Sequence, residues 1–195
     1  MNAAVIDFLS SRKSAPIDLM TEPGPSDAEI ETMIRIASRV PDHGRLAPWR
    51  FILYRGDVRH EIGQKLAGLA EKLEGPLPEA RLAKERTRFS RAPLVIGVVS
   101  LARDNAKSIP KWEMFLSGGA AAMNLSLAAN ALGYGCNWIT NWYSDTAEGR
   151  AILGLKEDER VIGFVHIGTF KGDIPERQRP DIAGLVSEYA GPVGN

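Results

Sequence analysis

Pro41-Asp42-His43-Gly44-Arg45-Leu46-Ala47-Pro48-Trp49-Arg50-Phe51 decides how the rest of the chain is read. Each of its two prolines lacks a backbone N–H and restricts the residue before it, so no helix runs through the stretch. A helical pattern upstream has to stop by Val40, and Phe51-Ile52-Leu53-Tyr54 then opens a strand. Between them sit a histidine, two arginines and two aromatics. Side chains this large are costly to order in a loop unless they pack against something. Cations suit an anion and aromatic faces suit a flat ring, so the loop reads as the wall of a ligand site.

Working outward, Val5, Ile6, Phe8 and Leu9 predict a short helix ending near Ser10, with Arg12-Lys13-Ser14 at its exit. Ser26 followed by Glu29 makes a capping box, and Ile30, Met33, Ile34 and Ala37 continue that helix. Downstream, Val58 to Leu73 is amphipathic and is broken by Gly75-Pro76-Leu77-Pro78. Glu79 to Ser90 is charged, predicted helical and largely solvated. Leu94 to Val99 is a buried strand by composition. Glu113 to Leu132 is a long helix of small and apolar residues, including Gly118-Gly119-Ala120-Ala121-Ala122. Apolar on nearly all faces, it belongs at the centre of the fold or in a subunit interface. Cys136 to Thr140 is a strand entering a loop, Thr146 to Leu153 a short helix, and Val161 to Gly168 a last core strand. The uneven strand connections argue against regular βαβ winding.

The 195 residues fit a single domain, 1–195, with no internal repeat and no separating linker. Lys+Arg and Asp+Glu are both 24, so overall charge gives no case for nucleic acid or an anionic membrane. No apolar run reaches the roughly 20 residues of a membrane helix, and the N-terminus does not read as a signal peptide. Cys136 stands alone, which excludes an intrachain disulfide and reads as a small buried hydrophobe in a reducing, cytoplasmic setting. With only His43, His60 and His166 and no HExxH spacing, a zinc site is not expected. Gly133-Tyr134-Gly135 fails the GxGxxG pattern at Trp138, and neither a phosphate-binding P-loop nor a GxSxG elbow is present.

Two basic clusters remain, Arg12-Lys13-Ser14 and Arg177-Gln178-Arg179. Arginine grips a phosphate through parallel hydrogen bonds and serine adds a neutral donor. Taken singly, each cluster is better read as solvated surface, and Trp49, Trp138 and Trp142 as core.

Their order along the chain carries more. Arg-Lys-Ser, then PDHGRLAPWRF, the small-residue helix, GYGCNWIT, a core strand ending in Gly-Thr and a late Arg-x-Arg together resemble the nitroreductase family. The nearest pattern is its small bacterial NAD(P)H-dependent branch, with Pro-Asp-His before Pro-Trp. The resemblance runs from about Phe8 to Pro180. It implies an α+β fold with a mixed, mainly antiparallel sheet flanked by helices, in an intertwined homodimer. The tail, about 170–195, would reach the partner subunit. It also implies FMN, reduced by NADH or NADPH and reoxidised by a nitroaromatic, quinone or similar small molecule in a ping-pong cycle. Carried over residue by residue, Arg12, Lys13, Ser14, Arg177 and Arg179 would meet the phosphate end. Arg39, His43 and Arg45 would lie along the flavin, and Trp138, Ile139 and Thr140 beside its ring. Ala128, Ala129, Asn130, Ala131, Leu132 and Gly133 correspond to a segment associated with the nicotinamide nucleotide, although a buried helix end describes them equally well. No side chain is implied as a catalytic residue, since a bound flavin carries the redox chemistry.

Ala47 departs from relatives that place Gln or Arg before Pro-Trp, which removes a side-chain donor. The same pattern also fits a flavin-storage protein without turnover, or a related flavin enzyme with another substrate. Substrate choice would then rest on a few pocket residues and a lid, for which the charged stretch Pro78 to Arg91 is the candidate.

Overall fold

A computed structural model describes residues 1–191. In chain order its elements are α1 (Ala3–Ser11), α2 (Asp27–Ala37), β1 (Trp49–Arg55), α3 (Val58–Glu74), α4 (Glu79–Arg86), β2 (Leu94–Ser100), α5 (Lys111–Ala131), β3 (Gly135–Ile139), α6 (Ala147–Ile152) and β4 (Arg160–Gly168). The strands form one sheet in the order β1-β2-β4-β3, with all three pairings antiparallel. The chain therefore has the expected α+β class. The Ser26–Glu29 capping box closes as predicted and starts α2. Pro41 lies just beyond the helix it was expected to stop.

Two apolar layers hold the sheet. On one face Ile30, Met33 and Ala37 of α2 and Ala122, Leu125 and Ala129 of α5 pack on Ile96, Val98, Val165 and Ile167. On the other, Ile62 and Leu66 of α3 join Phe89, Tyr143, Val95, Val99 and Phe164. Strand β2 is buried along all seven residues, which is why Leu94 to Val99 is an unbroken apolar run. Cys136 is buried against α5, and burial pushes its thiol pKa up to about 11. It behaves as the inert hydrophobe expected of it.

The small residues of α5 divide between two faces. A Cβ on Gly118 would stand 2.9 Å from Ile162 Cδ1, so this glycine is what lets the helix lie close to β4. Gly119 faces open space, in a stripe with exposed Trp112, Leu116 and Met123. Helix α1 buries no residue at all, although Val5, Ile6 and Leu9 are apolar.

The stretch Pro78 to Arg91 is not a solvated lid. Glu85 and Phe89 are fully buried in it. Arg88 grips Glu85 with two hydrogen bonds of 3.0 and 2.7 Å, and Trp142 Nε1 donates to the same carboxylate at 3.1 Å. Charge counting misread this segment because its buried acid and base neutralise each other.

His166 on β4 gives the fold a pH dependence. It is fully buried, with Nε2 3.1 Å from the Arg88 carbonyl. Nε2 must carry the donated proton, and Nδ1, which would take a second, has no hydrogen-bond partner. Burial holds the pKa down at about 4. An unfolded histidine titrates near about 6.5, so between these values the unfolded chain binds the extra proton. This contribution is complete above about pH 6.5 and falls by roughly 3 kcal/mol as pH drops to about 4. Denaturant titrations across that range should show a flatter acid limb for His166→Gln than for the wild type. Equal slopes would remove His166 as the cause.

Candidate functional site

Helix α1 delivers the first basic cluster. Arg12 is its C-cap, where the helix carbonyl end favours a cation. The half-buried Arg12 donates from Nη1 to Ser14 Oγ at 3.3 Å. Among the described residues no carboxylate pairs with it. Lys13 turns to the tail, donating to the Ile174 carbonyl at 2.8 Å and lying 3.5 Å from Glu176. Arg179 holds the other side of Glu176 at 2.6 Å and donates to the Arg12 carbonyl at 3.4 Å. The Arg179 hydrogen bond is the main reason the Glu176 pKa lies below the usual carboxylate value. Arg177 makes no side-chain hydrogen bond or ion pair among the described residues. Arg12, Lys13, Ser14, Arg177 and Arg179 thus converge on one small cleft of about 60 Å³. A larger cleft of about 470 Å³ adjoins it through Arg12 and Lys13, with Phe8 and Asn130 in its wall.

The Pro41–Phe51 loop is anchored on the first turns of α5. Ser117 Oγ donates to the Pro41 carbonyl at 2.7 Å and accepts from Trp49 Nε1 at 3.1 Å. Glu113 meets His43 Nδ1 at 2.7 Å, leaving the exposed imidazole oriented by one carboxylate. The Asp42 carboxylate accepts from the backbone N–H groups of Leu46 (3.0 Å) and Ala47 (2.8 Å). These bonds hold Arg45 and Ala47 at φ 55 and 44, left-handed values that cost a non-glycine residue of order 1 kcal/mol or more. Ala47 therefore offers a neighbouring ring neither a side-chain donor nor a free backbone one. Arg39 is exposed, and its carbonyl accepts from Asn124 of α5 at 3.1 Å.

Strand β3 carries the third group. Trp138 lies over Gly163, where a Cβ would stand 1.9 Å from its Nε1, and that N–H donates to the Ile162 carbonyl at 3.3 Å. Ile139 packs against Ala15, Ile17, Met20 and Ala92, and Thr140 is exposed.

A family model described as "Nitroreductase family" matches residues 9–169. The chain belongs to the nitroreductase family. It is 37% identical over 165 residues to the "Putative NAD(P)H nitroreductase" of Haemophilus influenzae, covering 84% of this chain and 87% of that one. A nitroreductase-like protein of Bacillus cereus superposes with a TM-score of 0.78 at 20% identity, over 96% of each chain. A variant of the FMN and NADPH-dependent nitroreductase NfnB of Sphigopyxis sp. strain HMH superposes at 0.74 and 19% identity, over 98% of this chain and 100% of that one. At such identities the two structures attest the fold.

In this nitroreductase-family chain the residues singled out from sequence fall into separate groups. The two basic clusters meet, whereas no hydrogen bond or ion pair among the described residues joins them to Arg39, His43 or Arg45. The nucleotide-associated segment divides as well. Ala128 and Ala129 lie in the core, while Ala131, Leu132 and Gly133 are exposed at the helix end. Asn130 of that segment lies in the wall of a cleft, beside Arg12 and Lys13. Ala128 and Ala129 cannot touch a ligand unless the core opens. Sequence reasoning passed over Asp42, Glu113 and Ser117, which shape the His43 loop. Asp42 carried a usable signal, since an aspartate two residues before a glycine favours a side-chain-capped turn.

Proposed function

We propose that this nitroreductase-family chain is an FMN-dependent oxidoreductase. It passes electrons from NADH or NADPH to a nitroaromatic, quinone or similar small acceptor by a ping-pong cycle, as a cytoplasmic homodimer. The observation that carries this is the half-buried Arg12 guanidinium, unmatched by any carboxylate among the described residues and facing a cleft shared with Ser14, Arg177 and Arg179. Such a charge calls for an anion, and a phosphate offers the paired acceptors that suit arginine. Arg12, Ser14, Arg177 and Arg179 would hold that phosphate, while Lys13 keeps the tail segment in place. FMN, when bound, supplies hydride acceptance from the donor and electron release to the acceptor.

The dimer rests on apolar surface that one chain leaves bare. Helix α1, Leu116 and Met123 of α5 and the tail residues Ile182, Leu185, Val186 and Tyr189 are all exposed. Patches of this kind mark interaction sites. The tail to Arg179 packs on its own chain, so any reach across starts after that point; residues 192–195 of the expected arm lie outside the described residues. A second chain would also bring its His43 loop to the basic cleft, joining groups that a single chain keeps apart. Trp138, held against β4, would offer an aromatic edge to the ring. Single, buried Cys136 suits a reducing compartment.

Purified protein should be yellow, should lose flavin absorbance when NADH or NADPH is added without oxygen, and should regain it with a quinone. A colourless protein that cannot be reconstituted with FMN would refute the proposal.

A further inference from the structure

The connection from β2 to α5, residues 101–110, packs on the His43 loop: Lys107 Nζ donates to the Gly44 carbonyl, and Ile109 lies against the same glycine. Its outer side, with the start of α5 and the approach to β4, walls a groove of about 640 Å³. That volume is in the range of sites for drug-sized ligands. Two aromatic side chains stand bare in it, Trp112 at 63% exposure and Phe115 at 43%. Two cations flank them. Arg103 and Arg160 make no side-chain hydrogen bond or ion pair among the described residues, whereas Lys111 is held by Asp104 at 3.2 Å. Asp158 likewise makes no side-chain hydrogen bond or ion pair among the described residues, whereas the neighbouring Glu159 is taken by Arg50 at 2.7 Å. Through Arg103 the groove continues into a second hollow of about 180 Å³ behind Leu46 and Pro48 of the His43 loop.

Aromatic faces take a flat ring, free guanidinium groups take phosphates, and an unpaired carboxylate accepts from ribose hydroxyls. We propose that this groove binds the phosphorylated adenosine half of the nicotinamide donor, its ring on Trp112 and Phe115 and its phosphates on Arg103 and Arg160. The inference rests on the oxidoreductase reading above. A small nitroaromatic or quinone would leave most of the volume and one of the two cations unused. The hollow behind Leu46 and Pro48 gives the dinucleotide a route toward the loop placed along the flavin. The groove also provides for the nucleotide where Ala128 and Ala129, buried in the core, cannot.

Equilibrium dialysis of the intact protein with AMP, and with adenosine bisphosphate carrying an added ribose phosphate, tests this. Arg103→Ser/Arg160→Ser should weaken AMP binding about tenfold or more, as loss of charged hydrogen bonds does. Trp112→Ala should weaken it too. Arg103 and Arg160 are exposed and lie off the apolar stripe of α5, so the double variant should fold and its FMN content should stay at the wild-type level. The double variant should raise KM for NADH or NADPH more than it lowers kcat. Tighter binding of the bisphosphate would support the groove and mark NADPH as its donor. AMP binding that is absent, or indifferent to these substitutions, would overturn the inference even if the protein is yellow and oxidises NAD(P)H. A colourless, inactive protein that still binds AMP through Arg103 would sink the oxidoreductase reading and leave the groove standing.

Discussion

Arg12→Ala should weaken FMN binding by about tenfold to a hundredfold, the size expected for removing a charged hydrogen-bond donor from a phosphate. The reason lies in how little else that guanidinium does. It bonds Ser14 Oγ within its own turn, and no carboxylate among the described residues neutralises it. Its loss should therefore cost the fold little and the ligand much. Lys13 offers a contrast, because its ammonium is already held by Ile174 and Glu176. Lys13→Ala should loosen the tail and affect FMN less. Fluorescence titration of FMN into stripped protein measures both. Equal affinity for Arg12→Ala and wild type would remove Arg12 from the phosphate site.

Glu85→Leu should destabilise the fold by about 3–5 kcal/mol, the usual cost of stranding one member of a buried ion pair. Arg88 would keep its charge in a site only 7% exposed, and the Trp142 N–H would lose its acceptor. Burial is the largest influence and would raise the Glu85 pKa, yet the Arg88 hydrogen bonds and charge, the Trp142 hydrogen bond and the Arg81 charge together outweigh it and hold the pKa below the usual value. The carboxylate is therefore ionised, and the pair is lost whole when either partner goes. Changing both residues to leucine should recover much of the loss, because the Arg88 charge goes with its partner and Arg81, also 3.1 Å from Glu85, keeps Glu74 at 3.2 Å. Denaturant midpoints of the two single variants and the double variant settle the matter. If Glu85→Leu kept full stability, α4 would be a loosely attached lid after all.

The two substitutions separate what could be read along the chain from what could not. Helix and strand identities were legible because their causes are local. The capping box at Ser26, the stop at Pro41 and the apolar run of β2 act within a few residues of where they are read. The Glu85–Arg88 pair was misjudged for the opposite reason. Charged residues in a row mean solvent unless a partner and a core close over them, and Phe89 with Tyr143 supplies that core. Asp42 could have been suspected from its place before Gly44, but only the folded loop shows its carboxylate taking two N–H groups. The groove at Arg103 and Arg160 was not legible, since those residues come from different elements and neither belongs to a motif.

By itself the sequence determined the element order and the residue types that could hold an anion, because hydrophobic periodicity, caps and prolines act over short range; the α+β class came from the family resemblance. The tertiary structure alone decided that Arg12 and Arg179, 167 positions apart, face one cleft. It also decided that His43 stands elsewhere on the same chain, against Glu113. Which distant groups meet depends on strand order and helix packing, and those are set by the sum of many weak apolar contacts rather than by any one stretch of residues.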